Sequence, residues 1–381
     1  MQNKLSIITS GHPYYDERIF YKFAGSLNKN GFEVAIICST AETDVEFLKD
    51  NIHIIGFDGS RLKKFEKINK FFDCLKKTDP SIIICCEPLP ILAANKLQKS
   101  KRNVKIIYDV TEWYPENVAF KHSALKKLLI YFVLFIFNIF ASNLADAIII
   151  GEQGKKRRYD LIAPMKRKQI ISYYPVLEHF KFSPREFDGS DLRLCYAGLL
   201  KFDRGIQTIY EAVKKLSIKY PQIRFIYKLV GKFETAEEEE NFKSLIKKNK
   251  TVTVEFFGWT EYPNISNYLV DVNICLDLRI KNFIYDNSLP IKIFEYMACG
   301  KPFIFTNVKP ICSQPDLLSC GFVVNPSSLD DIVNTISKYI DNKGLISINA
   351  KNARKLIETK YNWEKESEKL IELINSFGQV K

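Results

Sequence analysis

Short, continuously apolar runs rich in β-branched residues alternate with helix-length segments from one end of this chain to the other. In the first half the candidate strands are 5–9, 33–38, 52–57, 81–86, 104–109 and 147–150, with helical candidates such as 18–29, 63–77 and 91–99 between them. A strand with one wet face alternates apolar and polar residues, and these do not, so the expected sheet is parallel and covered on both faces. The repeated β-α order predicts an open, doubly wound α/β domain. Between residues 173 and 191 the pattern breaks at Pro175, Pro184 and Gly189, and this stretch reads as a linker. The alternation then restarts, with strands at 192–196, 225–230, 252–257, 272–278, 302–305 and 321–324 and helices at 205–219 and 237–248. Two Rossmann-like domains in tandem are therefore expected, 1–175 and 176–361. Ligands of such sheets bind beyond the carboxyl ends of the strands, so two facing domains would define a central cleft.

Charge adds a second constraint. The chain has 56 Lys and Arg against 44 Asp and Glu, a net +12 that favours a polyanionic partner. More than half of the excess lies in residues 121–168, with ten basic and three acidic side chains. Nine cysteines, several inside apolar runs (Cys38, Cys85, Cys86, Cys195, Cys275) and none in a C-x-x-C pair, point to reduced, buried thiols and a cytoplasmic setting. Residues 1–4 lead into too short an apolar stretch for a secretory signal. No segment reaches the ~18 apolar residues of a membrane span; the nearest, 128–141, is interrupted by Asn138.

Two stretches carry the chemistry. Residues 286–302 read DNSLPIKIFEYMACGKP: a loop, a helix started by Pro290, and Gly300 as its left-handed cap. Free N–H groups of Ser288, Leu289 and Ile291 at the helix tip, with Lys292, form an expected anion site suited to a diphosphate, and Glu295 is placed to bond a diol. Residues 196–205 read YAGLLKFDRG, between a strand and a helix. Gly198 permits close approach of backbone to ligand, and Lys201 and Arg204 supply charge. The plain alternative is a solvated surface helix for the first stretch and an ordinary βα loop for the second.

With these motifs in view, the chain resembles the retaining glycosyltransferases of family 4 and their relatives, which have the two-domain GT-B fold. Residues 287–302 resemble that family's "NSLPxKxFEYMAxGxP" signature, 194–205 its "vGxLxxxRG" loop, 12–20 (HPYYDERIF) its "HPxxDxRIF" stretch and 109–116 (DVTEWYPE) its "DxHExxPE" stretch. Residues 361–364 (YNWE) are similar to the start of the closing helix, 362–377, which in this fold crosses back to the first domain. The resemblance implies that the second domain binds a nucleotide-diphosphate sugar: Glu295 at the ribose, Arg204 and Lys292 at the diphosphate, Gly198, Ser288 and Leu289 beside it, and Gly258 and Trp259 at the base. It implies that the first domain binds the acceptor, with Asp16, Arg18, Asp109 and Thr111 facing the cleft and His12, Glu112 and Asn287 as the catalytic candidates. Two departures stand out: Asn287 replaces a carboxylate and Thr111 replaces a histidine. No protein nucleophile is needed when the leaving diphosphate itself helps take the acceptor proton. With no Asp-x-Asp motif, neither a metal nor any other cofactor is expected. P-loop, dinucleotide-binding, G-x-S-x-G and H-E-x-x-H motifs are absent from the sequence.

Residues 121–141 combine Lys121, Lys126 and Lys127 with a run that is apolar all round. Such a helix is ordinarily buried. The sharper reading dips Phe132 and Phe135 into a membrane while the lysines meet anionic headgroups, with Lys155–Arg158 and 166–168 widening the basic surface. No nucleic-acid module accompanies the charge, so nucleic acid is not an expected partner. The function expected is sugar transfer to a cell-envelope glycan or lipid-linked acceptor at the cytosolic membrane face. The alternatives are a catalytically silent scaffold or sugar-nucleotide sensor, and a sugar-nucleotide 2-epimerase.

Overall fold

The computed structural model describes residues 4–247 and 251–378. The end of the expected helix 237–248 lies outside the described residues; the helix runs Ala236–Lys247. The chain divides into two compact units, Met1–Tyr173 with Trp363–Lys381, and Tyr174–Asn362.

The first unit holds eight strands: β1 (Lys4–Thr9), β2 (Glu33–Cys38), β3 (Thr40–Lys49), β4 (Ile52–Asp58), β5 (Ile82–Cys85), β6 (Lys105–Val110), β7 (Ala147–Ile150) and β8 (Arg167–Ile170). They form one sheet in the order β3-β4-β2-β1-β5-β6-β7-β8. All neighbours are parallel except β3 and β4, which pair antiparallel. The edge strands β3 and β8 were not anticipated. Both are polar and half exposed, so they lack the apolar run that marks a central strand. The buried core runs from Ile8, Ile37 and Ile83 to Ile106 and Ile148 on the sheet, and to Phe71, Leu75 and Leu97 on the covering helices. The closing helix Trp363–Gly378 belongs to this unit: Trp363 Nε1 donates to Ser26 Oγ at 2.8 Å, and Glu366 accepts from the Ser172 N–H at 2.9 Å.

The second unit holds β9 (Asp191–Ala197), β10 (Arg224–Val230), β11 (Thr253–Phe257), β12 (Ile274–Asp277), β13 (Phe303–Thr306) and β14 (Gly321–Val324). Their order is β11-β10-β9-β12-β13-β14, all parallel. Each sheet thus reverses winding direction once, between β1 and β5 in the first and between β9 and β12 in the second. Loops diverge at such a switch point and leave a crevice for ligand. All nine cysteines are free thiols, and those singled out in the apolar runs are buried.

The helix Ala124–Leu144 departs most from expectation. It has 21 residues, against the shorter run read from sequence, and a mean hydropathy of 2.0, long and apolar enough to cross a bilayer. Only 11% of its most apolar window is buried. Leu125, Leu128, Leu129, Phe132, Val133, Ile136 and Phe140 are all more than half exposed and recur at helical spacing, so they form one stripe. The other face is tied down: Asn138 accepts from the Tyr108 hydroxyl and donates to that of Tyr159, and Ala141 and Ser142 are buried beside it. Asn138, read from sequence as an interruption, is the polar anchor that holds this helix to the sheet.

Candidate functional site

At the switch point of the second sheet, Gly198 directly follows β9 and Gly231 directly follows β10. Gly198 has φ +146° and Gly231 has φ +144°, values an L side chain rarely adopts. A Cβ on Gly231 would lie 1.8 Å from the Gly198 carbonyl oxygen, and one on Gly198 would lie 2.6 Å from Lys292 Cε. The two loops therefore pack backbone on backbone, and this exposes main chain to a cavity of about 290 Å³. Gly198, Trp259 and Lys292, all singled out in the sequence, line it together with Gly231, Lys232, Thr260 and Ile265, which were not. A glycine directly after a strand was the available signal for Gly231. Gly258 precedes Trp259 without lining the cavity; a Cβ there would meet nothing within 4 Å.

Lys292 stands in the first turn of the helix Ile291–Ala298, and Glu295 one turn on. Glu295 is 1% exposed, its Oε2 has no hydrogen-bond partner, and the Lys292 ammonium lies 3.6 Å away. A buried carboxylate oxygen with no donor is costly, and hydroxyls of a bound ligand would satisfy it. The glycine turn ending this helix is as expected, with Gly300 at φ +69°. Two details at its start differ. Pro290 is the cap rather than the first helical residue, and a short helix, Phe283–Asn287, replaces the expected loop. That helix takes up one group read as free: the Ser288 N–H points to the Tyr285 carbonyl at 3.5 Å, while the amide of the catalytic candidate Asn287 donates to Phe283 O and accepts from Lys309. Leu289 lies between the two helices.

Arg204 closes a short turn before Gly205, whose φ is +78° and whose Cβ would lie 2.2 Å from the Leu278 carbonyl. Its guanidinium stacks 5.2 Å from the centre of the Tyr285 ring, and its Nε is buried without a partner. Burial opposes the charge, but Tyr196, Asp277 and Tyr285 around it raise its pKa further, so it stays cationic. Arg204 and Glu295 are not among the cavity's lining residues; Lys292 is the link between Glu295 and the cavity.

The switch point of the first sheet carries a polar cluster. His12 follows β1, with Nδ1 3.3 Å from Asp16 and Nε2 3.6 Å from Glu87. Glu87 follows β5 and accepts from Thr9 Oγ1 at 2.8 Å and from the Ser10 N–H at 2.7 Å. Nothing in the sequence marked Glu87, a lone acid between Cys86 and Pro88. Asp16 also caps the next helix, accepting from the N–H groups of Arg18 and Ile19. Burial would raise the Asp16 pKa, yet its bond to His12 and the Arg18 charge hold it well below the usual carboxylate range. Burial would lower the His12 pKa, but the two carboxylates leave it above its ordinary value. A raised histidine stabilises the fold fully below about pH 6.5, and that contribution is lost as pH rises through the folded value. His12→Asn is therefore expected to cost stability at about pH 5.5 and little at about pH 9, as urea titrations at the two pH values would show.

Arg18 and Asp109 were expected to face the acceptor and are instead turned inward. Arg18 Nε lies 3.0 Å from Asp109 Oδ2, the Tyr173 hydroxyl donates to Asp109 at 2.6 Å, and the pair is 6% and 0% exposed. Burial raises the Asp109 pKa against the pull of Arg18. Thr111 and Glu112 do line a cavity with His12 and Glu87, of about 600 Å³. Glu112 also accepts from the Asn117 amide. The basic surface is narrower than the sequence suggested. Lys155 is buried against Glu152 and the Thr111 carbonyl, and Arg158 forms a double hydrogen bond to Glu116. Lys121 and Lys126 are exposed, Lys127 sits 3.9 Å from the Phe120 ring centre, and Phe132 lies on the apolar stripe. Phe135 does not: it is half-buried and stacked on Tyr131.

Residues 179–375 match the family described as Glycosyl transferases group 1. The lipopolysaccharide 1,2-N-acetylglucosaminetransferase of Salmonella typhimurium is 23% identical over 368 residues, covering 90% of this chain and 89% of that one. Among solved structures, sucrose-phosphate synthase from Thermosynechococcus elongatus superposes with a TM-score of 0.78 at 17% identity over the full length of both chains. Anabaena Alr3699/HepE in complex with UDP-glucose does so with a TM-score of 0.71 at 12% identity, covering 98% of this chain and 99% of that one. The family match spans more than half the chain and both sheets follow the same architecture, so this chain belongs to the group 1 glycosyl transferases: it is a GT-B glycosyltransferase of the retaining, family-4-like kind.

Proposed function

We propose that the chain transfers a sugar, with retention and without a metal, from a nucleotide-diphosphate sugar held in the second unit to a cell-envelope glycan or lipid-linked acceptor held in the first, at an anionic membrane surface. The observation that carries the donor half is the convergence at one cavity of the glycine loops and Lys292, with the unsatisfied Glu295 carboxylate 3.6 Å from the Lys292 ammonium. In this reading Glu295 accepts from the ribose hydroxyls, the base packs near Trp259, and Lys292 and Arg204 stabilise charge on the departing diphosphate. His12, in the first unit, orients the acceptor hydroxyl. The Salmonella relative, named for lipopolysaccharide, and the exposed apolar stripe of the first unit support this acceptor class.

A thermal-shift screen against UDP-, GDP- and CMP-sugars in excess EDTA tests the donor half. A ligand at a hundred times its Kd stabilises by about 2.7 kcal/mol, so one nucleotide is expected to raise Tm by several degrees with no metal present. No shift from any of them, or a shift that appears only when Mg²⁺ is restored, counts against this site.

The membrane half rests on the exposed stripe of Ala124–Leu144 with Lys121 and Lys126 beside it. Because Asn138, Ala141 and Ser142 hold the helix to the sheet, it lies along a bilayer surface rather than through it. The wild-type protein is expected to float with vesicles containing anionic lipid at low salt. The pair Leu129→Glu and Phe132→Glu, placed on the exposed stripe, is expected to abolish flotation and leave Tm unchanged.

A further inference from the structure

The larger cavity, about 600 Å³, lies wholly in the first unit, and its lining has two characters. The polar groups come from loops after three neighbouring strands: His12 after β1, Glu87 after β5, and Glu112 after β6. The apolar groups come from three helices: Ile68 from Lys64–Thr78, Leu92 from Pro88–Ser100, and Leu134 and Phe137 from Ala124–Leu144. Val133 belongs to both surfaces, lining the cavity and standing 55% exposed on the outer stripe. The helix that forms the apolar stripe is thus also a wall of the pocket. The polar part holds two carboxylates and a histidine, a set that hydrogen-bonds hydroxyls, with the exposed Lys64 also in the lining.

We infer that this cavity binds the junction of a glycolipid: sugar hydroxyls against His12, Glu87 and Glu112, and the adjoining apolar chain along Leu92, Leu134 and Phe137 toward the stripe. The inference rests on the proposed function and narrows its acceptor to one whose sugar lies within a few bonds of its lipid. Charge complementarity selects the occupant. A free lipid phosphate would set its anion against Glu87 and Glu112, a repulsion that the single exposed lysine of the lining, Lys64, offsets only in part, and a long soluble glycan would leave the apolar wall unused. Each methylene drawn from water onto that wall adds to affinity, so chain length becomes the measurable quantity.

The test uses the full chain and two probes sharing one head group, methyl β-glucoside and octyl β-glucoside, the latter kept below its micelle concentration. Calorimetry is expected to give saturable binding of the octyl compound at least thirty-fold tighter than the methyl compound. Leu92→Trp and Leu134→Trp, which fill the cavity from two different helices, are each expected to remove that advantage. Leu129→Glu, on the stripe but outside the cavity lining, is expected to keep it. Binding of the donor nucleotide, measured on every variant, reports whether the second unit is intact. If octyl and methyl glucosides bind alike, or the advantage survives both tryptophans, the cavity is not a chain site even where donor binding confirms the enzyme. If the advantage is lost in Leu129→Glu instead, the probe was reading the outer surface and the inference fails. If no nucleotide binds the wild type, it is the donor assignment that falls.

Discussion

Gly231→Ala is expected to lower the stability of the second unit by at least about 3 kcal/mol and to remove donor binding at the same time. Two costs combine. An L residue held at φ +144° lies outside the regions its Cβ allows, a cost of about 1–2 kcal/mol for positive φ alone. The added methyl would also lie 1.8 Å from the Gly198 carbonyl oxygen, which is main chain and has no rotamer to escape into. One of the two loops must move. Gly198 and Gly231 both line the proposed donor cavity, and Gly198 is held through its N–H to the Val230 carbonyl at 2.8 Å, so any movement deforms the cavity itself. For a unit of this size about 3 kcal/mol corresponds to a fall in Tm of roughly 10 °C. Gly258→Ala is the control. It too follows a strand, yet its Cβ would meet nothing within 4 Å, and its cost is expected within about 0.5 kcal/mol. Urea denaturation of both variants decides the matter. Equal losses would mean that the close approach of the two loops carries no weight.

That contrast also marks where sequence reasoning stops. The central strands were legible because burial on both faces leaves an apolar run: 33–38, 147–150 and 321–324 fall on β2, β7 and β14 to the residue. The edge strand β3 has mostly polar residues facing solvent and left no such trace. Motif spacing singled out Gly198, Lys292 and Glu295, and the family resemblance added Trp259; Gly198, Trp259 and Lys292 line one cavity, with Glu295 beside Lys292. It could not tell a glycine whose Cβ would strike backbone from one in open space. It could not foresee that Arg18 and Asp109, ninety-one positions apart, would neutralise each other under Tyr173. Nor could it separate the two faces of Ala124–Leu144. A helix apolar all round shows no amphipathic period, and only the packing of Asn138 and Ala141 decides which side meets the sheet.

Glu295→Met is expected to weaken donor-nucleotide binding by thirty- to a thousand-fold while leaving the unliganded protein as stable as before, or more so. A hydrogen bond to a charged group contributes about 1.5–3 kcal/mol, and losing one to two of them to ribose hydroxyls, about 2–4 kcal/mol in all, gives that range. Most buried carboxylates cannot be removed so freely, because breaking a buried ion pair costs about 3–5 kcal/mol. Glu295 differs in its surroundings. Its Oε2 accepts nothing, its nearest cation stands off at 3.6 Å, and Lys292, 24% exposed, can turn to water once the acid is gone. The unliganded fold thus holds a buried carboxylate oxygen that no donor satisfies, the usual condition of a group kept for its ligand. Methionine fills a similar volume without a charge, so that burden is lifted. Melting curves and calorimetry on the same preparation separate the two roles. A steep fall in Tm with nucleotide affinity unchanged would make Glu295 a structural acid. Stability kept and affinity lost would make it the donor's anchor.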